Sequence, residues 1–391
     1  MLQSFFNGLS GMVVFSQGLN TISNNVANMN TPGFKAVNNF YRALGEDGHG
    51  IGAKLSGEYM DESAGTIRDT GRATDLAVIG EGYFIVEKDG LYQYTRNGQF
   101  VFDDDGFLKD TVSDGYVMGA GPSGNLYRID ISTMKTLPPE ATTALSFSGN
   151  LSTGDDEHEI PAISVFNSLG EEVTFGLRFV NSTATNPGEW SVVVESDSGI
   201  PLWTGQLNFG LDGSVSPGSE SLSITIPSAE NGTAGVALDL TLTFGVPGDF
   251  SASTSFAGGT VSTLGSEIVD GRGSEGLVAA SFNDKGALNL LYSNGDTEEP
   301  YTIGLAYFDN PQNLRHMGDG FYVANTLQGV SYGQPDTGIF GSIQGNSIES
   351  SNVDLVREFA EMIIAQRGYQ AASHVMDVAN TMIETLYQSK G

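Results

Sequence analysis

Residues 351–388 read SNVDLVREFAEMIIAQRGYQAASHVMDVANTMIETLYQ. Ser351 followed three residues later by Asp354 has capping-box spacing, the acidic residue standing where Glu or Gln is usual, so a helix is expected to begin there. Leu355, Phe359, Met362, Gln366, Tyr369, Ser373, Met376, Asn380, Ile383 and Tyr387 then follow alternating steps of four and three, the heptad rhythm that lays one seam along a helix. Val356, Ile363, Val375, Val378, Met382 and Leu386 widen the stripe. At 1.5 Å per residue a helix over 353–388 would be roughly 54 Å long. Its apolar band exceeds what a two-stranded seam requires, which predicts more than one packing neighbour.

The other end repeats the pattern. In LQSFFNGLSGMVVFSQGLNTISNNVAN, residues 2–28, the positions Leu2, Phe5, Leu9, Met12, Ser16, Leu19, Ser23 and Val26 keep the same spacing. Pro32 biases Thr31 away from the helical region and Gly33 supplies an easy turn, so the helix should stop there. Gly8, Gly11 and Gly18 each cost about 1 kcal/mol relative to Ala, and Asn20, Asn24, Asn25 and Asn28 compete for their own backbone. This helix is therefore expected to be loose by itself. Periodicity alone leaves two readings open: the ends pair within one chain, or they meet copies of the chain.

Between the ends the pattern is strand and turn. Residues 75–87 (DLAVIGEGYFIVE) and 91–108 (LYQYTRNGQFVFDDDGFL) read as consecutive hairpins, with Asn97 and Gly98, then Asp105 and Gly106, as tight turns. Over 147–284 the alternation is clearest. Val173, Phe175, Leu177 and Phe179, and Val236, Leu238, Leu240, Leu242 and Phe244, each skip one residue, as half-buried antiparallel strands of a sandwich or barrel do. A second β stretch runs over 288–344, just before the C-terminal helix. Glycine, 52 of 391 residues, is near twice the usual share of about 7%, which fits many tight turns.

These elements predict a mainly β chain with α-helical termini and a nested organisation. Residues 1–30 and 351–391 would pair as a coiled-coil-like inner domain. Residues 31–146 and 285–350 would form a discontinuous β domain, and 147–284 an inserted outer β sandwich or barrel. A chain of 391 residues is long enough for two or three such cores.

Composition narrows the function by exclusion. A net charge of −30, from 47 acidic against 17 basic residues, argues against nucleic acid or an anionic membrane as partner. Close packing of copies would then need screening, over a Debye length of about 10 Å at 0.1 M salt. Without cysteine there is neither a disulfide framework nor a thiolate site. No basic residue precedes Lys35, so no cleaved signal or transit peptide is expected, and no apolar run approaches the ~20 residues of a membrane span.

Candidate chemistry fails position by position. His49, His158, His316 and His374 are scattered, and no zinc-ligand pattern includes them. Asp103, Asp104 and Asp105 lack the remaining ligands of a calcium loop, since valine stands at 101 and 112. Gly80 and Gly82 lack the third glycine of a dinucleotide fingerprint. The sequons at Asn150, Asn181 and Asn231 matter only in a eukaryotic secretory pathway. No catalytic, cofactor or metal site is expected, and the chain does not read as an enzyme.

Residues 7–36, NGLSGMVVFSQGLNTISNNVANMNTPGFKA, closely resemble the N-terminal signature of the bacterial flagellar rod and hook axial proteins. The resemblance rests on Asn24, Asn25, Val26, Ala27 and Asn28 and on the exit Asn30, Thr31, Pro32, Gly33, Phe34 and Lys35. Residues 351–386 are similar to the family's C-terminal helix. DLAVIGEGYFIVE, YTRNGQF and GDGFYVAN (318–325) are similar to its first β domain, and GNLS (149–152) with SVFNSLGEEVTFGLRF (164–179) to the insertion of its hook members.

The resemblance implies a structural subunit that leaves the cell through the flagellar type III export apparatus and polymerises with copies of itself. It implies assembly under a hook cap on the distal rod, contact with the hook-filament junction protein, and an extracellular place in the flagellum beside the basal body. The polymer would be a curved flexible tube, a universal joint passing torque from rod to filament. Polymerisation would use Leu2, Phe5, Leu9, Met12, Leu19 and Val26 at one end, and Leu355, Phe359, Met362, Ile363, Tyr369, Met376, Ile383 and Leu386 at the other. The rival readings are a distal rod protein with an enlarged insertion and a secreted β-rich adhesin.

Overall fold

The computed structural model describes every residue except 1, 47–48, 183–185, 187, 231–235 and 390–391, so the sequon at Asn231 lies outside the described residues. The chain divides into two compact units, 1–133 with 278–291 and 295–391, and 134–277 with 292–294.

The first unit holds both ends. Helix α1 (Leu2–Ala27) is followed by strands β1 (Val37–Glu46) and β2 (His49–Met60), and helix α2 (Leu355–Ser389) closes the chain. Strands β1 and β2 form a long antiparallel hairpin with register shifts at Phe40/Tyr41 and Leu44/Gly45. A larger sheet runs in the order Leu314–Gly318, Phe321–Ala324, Leu91–Thr95, Tyr83–Lys88, Tyr116–Ala120, Leu108–Asp110, Phe100–Phe102. It interleaves strands from before and after the central segment, with Tyr322 opposite Tyr94. Tyr83, Ile85, Tyr94, Met118, Ala306, Phe308 and Tyr322 bury one face.

Two local expectations for this unit change. Leu76–Ile79 does not turn back on Tyr83–Lys88; it pairs with the distant Ser342–Gly345. Asn97 and Gly98 make no hairpin either. Leu91–Thr95 already has Tyr83–Lys88 on one flank and Phe321–Ala324 on the other, so the chain must cross to the far edge of the sheet. The hairpin before it turns at Asp89 and Gly90, both at positive φ (53° and 78°), a requirement of tight two-residue loops. Asp105 and Gly106 do lie in the hairpin loop that joins Phe100–Phe102 to Leu108–Asp110, where Asp103 Oδ1 accepts from the Phe107 N–H at 2.8 Å.

The second unit carries two sheets over one core. Glu157–Phe166, Glu172–Asn181, Glu189–Ser196 and Pro201–Asn208 form an antiparallel meander. The other sheet is mixed, because Ala144–Asn150 runs parallel to both Leu238–Thr243 and Ser253–Thr254. Val173, Phe175, Leu177 and Phe179 all point into the core with Leu238, Leu240, Leu242 and Phe244, while Val236 lies before its strand and is exposed. Trp190 is fully buried there, and its indole N–H donates to Ser255 Oγ at 3.2 Å.

Candidate assembly interface at the chain ends

Helix α2 starts on a different cap from the one expected. Asp354 Oδ1 accepts from the N–H groups of Val356 (2.9 Å) and Arg357 (3.3 Å), and the Asp354 carbonyl accepts from Glu358 N–H, so Asp354 itself is the N-cap. Ser351 lies too early because the residues around it are held extended. Ser350 N–H donates to Thr66 O, Asn352 N–H donates to Phe34 O, and Ser351 Oγ reaches only Val353 N–H at 3.3 Å. At the end of α1, Asn28 folds back on Asn24 O through its side chain (2.9 Å), and Thr31 Oγ1 donates to Asn28 Oδ1 at 3.2 Å. Gly33 follows at φ 70°, its N–H donating to Glu349 O at 2.8 Å, and a Cβ there would collide with the Arg96 backbone. Only glycine meets both demands.

The signature residues beyond the turn bind the segment that leads into α2. Lys35 is buried and donates to Glu349 Oε1 at 2.7 Å and to Ser63 O at 2.9 Å. Arg96 approaches the other oxygen, Oε2, of the same carboxylate at 3.4 Å and lies over the Tyr83 ring, 5.1 Å from its centroid. Burial pulls the Lys35 ammonium below its usual pKa, against the opposing pull of Glu349. Phe34 is buried edge-on to His316. Asn352 accepts from Ala36 N–H at 2.7 Å and donates to the carbonyls of Asp61 and Ser63. This buried ionic junction was not anticipated from sequence, since none of its charges stands near its partner along the chain.

Above the junction the two helices pack antiparallel. A Cβ on Gly8 would lie 3.0 Å from Ala372 O and 3.3 Å from Met376 Cβ, and one on Gly11 would lie 3.3 Å from Ala372 Cβ. Further along, Phe15 covers Gly368. α1 also meets the hairpin: Gly18 faces the Tyr41 hydroxyl, Ser10 Oγ accepts from Ala53 N–H at 3.3 Å, and Thr21 bonds Asn39. The expectation of a loose α1 is not met. The glycines that weaken it as an isolated helix are the places where neighbouring elements approach its backbone.

One polar pair sits in this seam. Glu358 is 4% exposed, and its Oε1 accepts from Asn25 Nδ2 at 3.0 Å. Asn25 also exchanges two hydrogen bonds with the Val37 backbone, at 2.9 and 3.0 Å. Glu358 Oε2 has no partner among the described residues. Burial raises the pKa of this carboxyl, with the Asn25 bond opposing.

The residues expected to drive polymerisation divide between the seam and the surface. In α1, Phe5, Met12, Leu19 and Val26 are half-buried and Leu9 is exposed, while the Leu2 side chain lies outside the described set. In α2, Leu355, Met362, Met376 and Ile383 are half-buried, and Phe359, Ile363, Tyr369 and Leu386 are exposed. Among the signature positions Asn25, Gly33 and Phe34 are buried, Val26, Asn28, Thr31 and Pro32 half-buried, and Asn24 and Ala27 exposed. The intramolecular seam of α2 runs instead through Glu358, Ala365, Ala372 and Ala379. Small side chains let the backbones approach, so the large apolar residues are left outside: Val356 is 80% exposed, Ile364 67% and Met382 55%. Separately, Phe6, Leu9, Leu44 and Ile51 line an open groove of about 610 Å³ between α1 and the hairpin. Contiguous apolar surface of this kind marks an interaction site. Among the described residues no group of three or more His, Cys, Asp or Glu could hold a metal ion, and no helix is long and apolar enough to cross a membrane.

Three family models match this chain. They are described as flagella basal body rod protein (residues 6–35), flagellar hook protein FlgE/F/G D1 domain (77–150) and flagellar basal body rod FlgEFG protein C-terminal (344–389). The first and last cover the helices and the junction. Among curated relatives, the flagellar hook protein FlgE of Brucella suis biovar 1 (strain 1330) is 29% identical, covering 98% of this chain and 98% of the relative. That of Escherichia coli (strain K12) is 28% identical over 98% and 99%. The chain is similar, at both ends and along its length, to the flagellar rod and hook axial proteins. The more distant hook protein FlgE of Borreliella burgdorferi is 25% identical, and the alignment covers 100% of both chains. The crystal structure of Helicobacter pylori flagellar hook protein FlgE2 aligns with 13% identity and a TM-score of 0.49, covering 71% of this chain and 99% of that one. The axial family is a structural one, not a family of enzymes.

Proposed function

We propose that the chain is the structural subunit of a flagellar hook, polymerising into a curved tube that passes torque from rod to filament. The observation that carries this reading is the end-to-end correspondence with hook proteins, which runs through the central 147–284 segment as well as the helical ends. Unpartnered large apolar residues on α2 supply the driving force for copies to stack. Each such side chain is worth about 1.5–3 kcal/mol when fully buried. On this reading 1–30 with 351–391 form the polymerisation region, 31–146 with 285–350 a discontinuous β domain, and 147–284 an inserted one. The distal rod, hook cap, hook-filament junction protein and type III export apparatus are the partners this role requires, and the hook adjoining the basal body is its place. Because each copy carries a charge of −30, tube formation should strengthen with added salt.

The double variant Phe359→Glu/Ile363→Glu tests the reading, since both side chains are exposed and the folded monomer should tolerate it. Electron microscopy should find curved tubes from the parent protein and none from the variant, with unchanged helix content by circular dichroism. Normal tubes from the variant would sink the proposed surface, and straight shafts from the parent would place the chain among rod proteins.

A further inference from the structure

The seam between α1 and α2 repeats with a period of seven. On α2 one column reads Glu358, Ala365, Ala372, Ala379; on α1 the matching column reads Asn25, Gly18, Gly11, Ser4. Two observed contacts fix how these columns face each other: Gly11 lies against Ala372, and Asn25 against Glu358. Three of the four α2 positions are therefore the same small residue. A slip of one heptad, about 10 Å along the axis, would set Gly11 against Ala365 or Ala379 with no change in side-chain size. Within this column close packing does not choose among these registers; beside it, the fit of Phe15 over Gly368 also favours the observed one.

We infer that the buried Asn25–Glu358 pair is the register key of the terminal helices. It is the one position in the column where a slip exchanges a satisfied hydrogen bond for an orphaned one. Moving Glu358 opposite Gly18 removes its side-chain donor, and moving Asn25 opposite Ala365 removes its acceptor on α2. Leaving such a buried group unpaired gives the native register a preference of roughly fivefold or more. A single buried polar pair setting register in an otherwise apolar helix interface is a known physical device. Here the key sits next to the junction: Asn25 is bonded to Val37, one residue beyond Ala36, which Asn352 holds. Glu358 and Asn25 thus act as positioning residues that carry the register of the junction into the helices, and with it the axial position of the exposed α2 face.

The absence of cysteine makes the register directly measurable. Gly11→Cys is combined in turn with Ala365→Cys, Ala372→Cys or Ala379→Cys in the full chain, and disulfide formation is followed under mild oxidation. In the parent background the 11/372 pair should form at least about fivefold more disulfide than either other pair, as the native Cβ positions require. Glu358→Gln keeps an acceptor for Asn25 and should preserve that preference. Glu358→Leu removes the key but keeps apolar bulk, and should let the 11/365 or 11/379 pair compete. Exclusive 11/372 trapping in the Glu358→Leu background would overturn the proposal, by showing that the junction and the Phe15–Gly368 contact set register without the pair. Loss of all three disulfides there would overturn it too, by showing that the pair supplies affinity instead. The inference concerns helix pairing within one chain, so its failure would leave the hook reading intact, and a failure of tube assembly would not touch it.

Discussion

The central unit and the terminal helices solve the same problem in opposite ways. In the former, strands with strict alternation close two sheets over one core, and Trp190, Phe175, Phe179 and Leu242 are all buried at 0–1% exposure. In the latter, α2 buries only Glu358, Ala365 and Ala379, and many of its larger apolar residues, Val356, Phe359, Ile363 and Ile364 among them, are exposed. A β layer with one apolar face is satisfied by one partner layer. A helix with a broad apolar band is not, and a single neighbour leaves part of that band exposed. One chain thus contains a region whose apolar faces are closed and a region that leaves apolar surface open, the surface proposed above for assembly.

Three perturbations would break or sharpen that contrast. Removing 351–391 has the largest expected effect: polymers should disappear altogether while the second unit keeps its cooperative melting and its near-ultraviolet Trp signal. If that signal vanished with the tail, the central unit would not be self-sufficient. Next, Trp190→Ala should destabilise the central core by about 3–5 kcal/mol, read as a lower denaturant midpoint, because removing a fully buried indole leaves a cavity. An unchanged midpoint would mean that the core tolerates the void.

The smallest effect is a pH dependence confined to the helix pair. A carboxyl whose pKa is raised on folding adds stability below its unfolded value, and that contribution is lost as pH rises through the folded one. Glu358 is in this position through burial, with Arg357, Glu361 and Asp354 as the charged neighbours on its own helix and Asn25 facing it from α1. Hydrogen exchange of α1 amides should therefore speed up as pH rises from the acid range toward neutrality, after correction for intrinsic rates. Glu358→Gln should flatten that slope, and an identical slope in both proteins would remove Glu358 as its source.

Much of this was legible along the chain. Strand alternation over 173–179 and 238–244 identified inward-facing residues correctly, because period two holds wherever one face is buried. The presence of both helices and most of their extent were equally readable, being local matters of spacing, although α1 ends at Ala27, before the stop expected at Thr31 to Gly33. The breadth of the α2 stripe also announced surplus apolar surface. The cap was misread by three residues, since Ser351 has the right chemistry but belongs to an extended segment whose partners, Phe34 and Thr66, lie hundreds of positions away. The glycines of α1 were read as a weakness because propensity sees the isolated helix alone. The signal that could have found the seam was Glu358, Ala365, Ala372 and Ala379, a column of small residues beside the obvious large ones.

What the sequence determined by itself, then, was the kind of each element and the direction of most side chains, because both follow from short-range periodicity and sterics. Tertiary structure decided which elements meet: Leu76–Ile79 with Ser342–Gly345, Lys35 with Glu349 and Arg96, and Asn25 with Glu358. Those choices rest on the cost of leaving a buried charge or strand edge unpaired, which depends on what surrounds it in space rather than along the chain. They also decided which apolar residues of α2 are covered within the chain and which stay exposed.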